Sequence, residues 1–155
     1  MSLAKGLGGG VPLGAMVTTE EVAEGFQPGS HASTFGGNPL ATRAGLEVVR
    51  TIEEEGLLER DSTVGAYLAQ GLEQITENHA ERCVEVRGRG LLFGLELQTA
   101  EDETLGKRVV AAGLERGLLL NAIQGKVLRF TPPLILERHH VDQVVDSLDA
   151  ILGAV

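Results

Sequence analysis

Glycine is unevenly spread along this chain, and its distribution limits what the chain can fold into. Of 21 glycines, ten lie in residues 1–45 and eleven in the rest. Glycine loses more backbone freedom on folding than any other residue, so a segment this rich in it is hard to order alone. The front therefore reads as loops that need support, and the remainder as regular structure. The densest run is "LAKGLGGGVPLGAM", residues 3–16, with five glycines, a single lysine and no acid.

Regular structure starts at Asn38, a good N-cap followed by Pro39, whose missing N–H costs nothing at the first helical position. Leu40, Ala41, Ala44, Val48, Val49 and Ile52 recur at helical spacing, and Gly56 ends the helix. A second helix is predicted over about 58–78, with Val64, Leu68, Leu72 and Ile75 on one stripe. Gly65 and Gly71 inside it each cost roughly 1 kcal/mol relative to alanine. "CVEVRGRGLLFGLELQ", residues 83–98, then reads as two strands joined at Gly88–Gly90, or as one bent strand. A third helix is expected over about 101–116, capped by Thr99 and ended by Gly117. Strands follow at 118–123 and 127–132 with a turn at Gly125. A last helix over about 137–152 has Val141, Val144, Val145, Leu148 and Leu152 inside. Residues 57–155 thus form an α+β unit, preceded by a loop-rich segment at 1–56.

With 43% hydrophobic residues, the chain has enough apolar material for a core, unlike a disordered sequence. A net charge of −9 argues against nucleic acid and anionic membrane as partners. No apolar run approaches the roughly 20 residues of a membrane span. The single cysteine, Cys83, excludes an internal disulfide framework and fits a reducing, cytoplasmic setting.

Three stretches carry candidate chemistry. Lys5 precedes its glycines, whereas a phosphate-cradling P-loop places its lysine after the last one. The dinucleotide spacing G-x-G-x-x-G also fails, because Val11 or Leu13 stands at the third glycine. Two readings of Lys5 remain open: an amine given room to form a Schiff base with a bulky cofactor, or a solvated lysine in a loose loop. In "GSHASTFGGNPLA", residues 29–41, Ser33 and Thr34 lie before a helix N-terminus. That suits a phosphate, and equally suits a plain capped helix start. Arg129, in "VLRFTPPL", sits among apolar strand residues, either gripping a carboxylate or facing water from an edge strand. His139 and His140 are adjacent and point in different directions on a helix, so no metal site is read there. Arg87 and Arg89 suggest nucleic acid, which the net charge opposes. Cys83 has no evident base partner and reads as a strand residue.

Together, "LAKGLGGGVPLGAM", "HASTFGGNPLA", "VRGRGLLFGLEL" and "LRFTPPL" resemble stretches found in this order in class III pyridoxal-phosphate aminotransferases, nearest to the acetylornithine and ornithine branch. The resemblance runs from Lys5 to the C-terminus. It implies that Lys5 holds pyridoxal phosphate through its amine and, once released, moves a proton at the substrate Cα. It implies that Thr34, with Ser33 beside it, reaches the cofactor phosphate of the neighbouring subunit, so that the sites form at a homodimer interface. It implies that Arg129 grips the substrate α-carboxylate, with 2-oxoglutarate as amino acceptor. Residues 1–56 correspond to the tail of the cofactor domain with its linking helix, and 57–155 to the small C-terminal domain of a fold type I transferase.

The family's phosphate loop, ring-stacking aromatic and ring-nitrogen acid have no counterpart in these residues. The cofactor is therefore expected to be absent or poorly used in the chain alone, and the isolated chain to be inactive. The alternative is a non-catalytic module that pairs with itself or with a full-length homologue.

Overall fold

In the computed structural model, which describes residues 1–155, the change of pattern near Gly56 also divides the chain into two units, Met1–Leu57 and Leu58–Val155. In the first unit, β1 (Ser2–Leu3) pairs antiparallel with β2 (Ala15–Met16), which closes the glycine run at its base. Lys5–Gly8 forms a short 3-10 turn within that loop. A brief helix, α1 (Glu20–Ala23), starts at Thr19, whose hydroxyl accepts from the Val22 N–H. The principal helix is α2 (Pro39–Glu54). Asn38 caps it as expected, its Oδ1 accepting from the Ala41 N–H at 2.9 Å. Gly56, in the left-handed region at φ 59°, stops it.

The stripe read along α2 is only partly covered within its unit. Ala41 is buried and Ala44, Val48 and Ile52 are half-buried, whereas Leu40 is 76% exposed. Gly45 explains the buried line: a Cβ there would collide with the Leu13 side chain. This small residue lets α2 lie against the loop that carries Lys5.

The second unit has α3 (Leu57–Asn78), β3 (Cys83–Arg89), β4 (Leu92–Leu97), α4 (Leu105–Glu115), β5 (Asn121–Ile123), β6 (Val127–Phe130) and α5 (Arg138–Ala154). The four strands form one antiparallel sheet in the order β3-β4-β6-β5. Strand side chains alternate between faces. Phe93, Leu95, Leu97, Leu128 and Phe130 turn to one face and are buried with Leu68, Leu72 and Ile75 of α3, Val109 of α4, and Val141, Leu148 and Leu152 of α5. The opposite face carries Arg87, Arg89, Leu92 and Arg129, all exposed.

Several boundaries differ from those expected. The β3–β4 turn lies at Gly90–Leu91, so Gly88 belongs to the strand. Residues 118–120 do not pair, and β5 is only three residues long. Helix α4 begins at Leu105 rather than near 101. Asp102 is the reason. Its Oδ1 accepts from both the Thr104 N–H and hydroxyl, at 2.9 and 2.6 Å, and its Oδ2 from Arg108. Residues 102–104 are thereby held in a turn. The Thr104 hydroxyl first, then Arg108, pulls the Asp102 carboxyl down to about 2.

Two hairpin turns dock on helices through glycine. A Cβ on Gly65 of α3 would strike the Gly90 carbonyl in the β3–β4 turn, and one on Gly106 of α4 would strike the Gly125 carbonyl in the β5–β6 turn. The helix glycines that sequence propensity marks as weak points are close-approach positions.

Gly65→Ala should therefore lower stability in urea by about 1–3 kcal/mol through overpacking, although alanine is the better helix former by about 1 kcal/mol. Because the folded-state pKa of Asp102 lies below its ordinary 3.8, its contribution is complete above about pH 4 and is lost as pH falls towards 2. The Thr104 amide NMR signal should titrate near 2, and Arg108→Ala should move that midpoint up.

Candidate functional site

Lys5 follows extended Ala4 and itself adopts a left-handed backbone, φ 57°. Only one other non-glycine residue, Gln124, has a positive φ. For a side chain with a Cβ this conformation costs about 1–2 kcal/mol. Lys5 is exposed, and its side chain makes no hydrogen bond or ion pair. Its surroundings are open: nothing lies within 4 Å of where a Cβ would stand on Gly6 or Gly10. The turn itself is anchored, because Gly8 is buried and Gly9 faces Val48 of α2. The open positions at Gly6 and Gly10 leave room for a planar group beside the Lys5 backbone, which a carbonyl cofactor bonded to Nζ would need.

Ser33 and Thr34 lie in the same unit, in the loop before α2. The Ser33 hydroxyl is engaged within that loop, accepting from the Gly36 N–H at 2.9 Å. Thr34 is exposed and has no hydrogen-bond partner. No hydrogen bond joins either hydroxyl to Lys5. The α2 N-terminus is already capped by Asn38, so its amides are not all free for an anion.

Arg129 lies in the second unit. It is not on an edge strand: β6 runs between β4 and β5. It is not buried either, because alternation turns it to the open face while Leu128 and Phe130 point to the core. Its register partners are Gly94 on one side and Asn121 on the other. No carboxylate pairs with it. It borders a cleft of about 300 Å³ with Asn121, Thr131, Leu119 and Pro132. An arginine with no internal counter-ion at such a mouth can grip a carboxylate through two of its guanidinium nitrogens.

The same face carries a network that sequence reading missed. Arg87 donates to Glu85 at 2.5 Å and to Glu96 at 2.7 Å, while Lys126 meets the other Glu96 oxygen at 2.8 Å. Lys126 first, then Arg87, holds the Glu96 carboxyl below the usual carboxylate range. The alternation within 83–98 places Glu85 and Arg87 together, but only the strand register brings in Glu96 and Lys126.

The remaining candidates have structural places. His139 and His140 are exposed at the start of α5, where His140 Nδ1 accepts from the Glu137 N–H and completes a capping box. Cys83 is buried, and that burial pushes its thiol up to about 11, far from a nucleophile's range. No helix is long and apolar enough to cross a membrane.

Comparison with known proteins is consistent with these features. The family model for class III aminotransferases matches residues 1–152. The chain is 49% identical over 152 residues to acetylornithine aminotransferase of Aquifex aeolicus, covering 98% of the chain and 37% of that protein. It superposes on acetylornithine aminotransferase of Elizabethkingia anophelis with a TM-score of 0.91 and 28% identity, over 99% of this chain and 38% of that one. An Arthrobacter phospholyase, solved with phosphoethanolamine, gives a TM-score of 0.91 and 32% identity, over 99% and 38%. This chain belongs to the class III aminotransferases, a pyridoxal-phosphate-dependent family. It spans just over a third of the length of the curated relatives it matches.

Proposed function

We propose that these residues are the C-terminal part of a cytoplasmic aminotransferase of arginine metabolism. It would move an amino group from N-acetylornithine, or a related ornithine derivative, to 2-oxoglutarate. Support for the substrate class comes from relatives named acetylornithine aminotransferase at 43–49% identity. The similarity to a phospholyase is a reminder that the fold alone does not choose the reaction. On this reading residues 1–56 complete a cofactor domain, and 57–155 are the small C-terminal domain.

The observation that carries the reading is Lys5: a lysine held left-handed, on an anchored turn, with open glycines around it. Strain of this kind persists where surrounding structure over-determines it, which is common at functional sites. Pyridoxal phosphate, when bound, supplies an aldehyde for the amine and a ring that withdraws electrons from the reacting carbon. Nζ of Lys5 would hold the cofactor and, once free, take and return the proton of that carbon. Arg129 would fix the substrate by its carboxylate. Thr34, and Ser33 through the O–H that its acceptance from Gly36 leaves free, would donate to the cofactor phosphate of a neighbouring subunit.

A second reading is favoured by the apolar side chains exposed in the first unit, among them Phe35 at 80%, Leu40 at 76% and Met16 at 57%. Here residues 11–56 form the contact of a non-catalytic module with itself or with a full-length homologue.

Absorbance after adding pyridoxal phosphate separates the two. A lysine-bound cofactor band that survives gel filtration and disappears in Lys5→Ala supports the first reading, and its absence supports the second. In both cases pure chain alone should show no turnover of N-acetylornithine. Light scattering at high concentration should show dimers or larger species, and a monodisperse monomer would count against residues 11–56 as a contact.

A further inference from the structure

The segment 131–137, which joins β6 to α5, walls the cleft that Arg129 borders. Thr131, Pro132, Pro133 and Leu136 line the cleft from this segment, and Val141 and Val144 line it from α5. Little backbone hydrogen bonding holds the segment. Pro132 and Pro133 have no N–H to give. The Leu136 N–H donates to the Pro133 carbonyl at 3.0 Å, and Arg60 of α3 reaches the Ile135 and Leu136 carbonyls at 3.5 Å. The far end of the segment is Glu137, the N-cap of α5, so this cap anchors the wall where it meets the helix.

The cap has a titratable acceptor. In a capping box the third helical residue is ordinarily Glu or Gln, whose oxygen takes the N–H of the N-cap. Here that residue is His140. Its Nδ1 takes the Glu137 N–H at 3.2 Å, and the Glu137 side chain takes the His140 N–H in return. An imidazole gains a proton between about pH 5 and 8, and both its nitrogens are then donors. Two donors would face each other, and the bond would be lost. The added charge also falls at the positive end of the helix dipole, in a first turn that holds Arg138 and His139 but no acid.

The charged groups around the cap do not replace the acceptor. The Glu137 carboxylate is shared by Arg60 of α3 at 3.4 Å and His139 Nδ1 at 3.3 Å. Tyr67 of α3 lies under Arg138 at 5.1 Å, and its hydroxyl donates to Asp142 at 2.5 Å. The His139 and His140 rings are 3.8 Å apart. A proton on His139 would tighten its contact with Glu137, an effect opposite in sign to that of His140.

We propose that His140 is a pH-sensitive latch on the cleft wall. When neutral it caps α5 and holds segment 131–137; when protonated it lets that segment loosen. The cap is therefore complete where the imidazole is neutral and is lost as pH falls through its titration. The latch concerns the wall and does not depend on what Arg129 binds.

The test uses NMR on the 155-residue chain, from about pH 8 down to about pH 5. Two readouts are followed: the protection of the Glu137 amide from exchange with water, relative to an unstructured peptide at the same pH, and the Leu136 methyl signals. In the parent, protection should fall about fivefold, the weight of a typical N-cap, and the Leu136 methyls should shift with it. His140→Gln, which keeps an acceptor that does not titrate, should hold both readouts level at the parent's high-pH values. His140→Ala should show the low protection at every pH. His139→Gln should fall as the parent does.

Level protection in the parent overturns the proposal. An equal fall in His140→Gln also overturns it, because another group would then carry the effect. A fall in protection without movement of the Leu136 methyls overturns it as well, since the cap would titrate without reaching the cleft.

Discussion

The second unit depends on how closely two hairpin turns can approach two helices. Gly65 of α3 lies on the Gly90 carbonyl and Gly106 of α4 on the Gly125 carbonyl, with no room for a Cβ at either contact. These contacts set where the β3–β4 and β5–β6 turns dock, and so which strand residues turn inward. Once Leu95 and Leu128 face the helices, alternation sends Gly94, Glu96, Val127 and Arg129 to the other face. The exposure of Arg129 therefore follows from packing on the far side of the sheet. Side chains in those glycine positions would lift the turns and disturb the register that places Arg129 beside Gly94.

The first unit applies the same principle to a loop. Gly45 lets α2 lie close to Leu13, and Gly9 lets the turn pass Val48. The loop carrying Lys5 is anchored at these points and open elsewhere. Anchoring explains how a lysine can be kept at φ 57°, and openness leaves its amine accessible. On the proposed reading, an amine that holds a cofactor and exchanges protons would need a fixed backbone and free space at its tip.

The helices were legible in the sequence because their signals are local. Asn38 with Pro39, Gly56, and the stripe Val64–Leu68–Leu72–Ile75 each mark an element through contacts a few residues apart. Helix α4 starts at Leu105 and not near 101, because Asp102 binds Thr104 and Arg108 in a turn that competes with the Thr99 cap. The strand expected over 118–123 pairs only at Asn121–Ile123, because apolar runs indicate burial without indicating a ladder partner. Leu40 fits the helical spacing and is exposed all the same, since spacing cannot say whether another surface covers it within the unit.

Lys5, Ser33, Thr34 and Arg129 stand out by residue type, glycine context and resemblance to a family, all of which are written along the chain. The sequence by itself determined that membership, the order of the elements, and the presence of a lone lysine among glycines. Only the tertiary structure decided the left-handed backbone of Lys5, the open face beneath Arg129, and the pairing of Glu96 with Arg87 and Lys126. Those features depend on register and on the approach of one element to another. They join residues distant in sequence, and no local periodicity encodes which strand will lie opposite which.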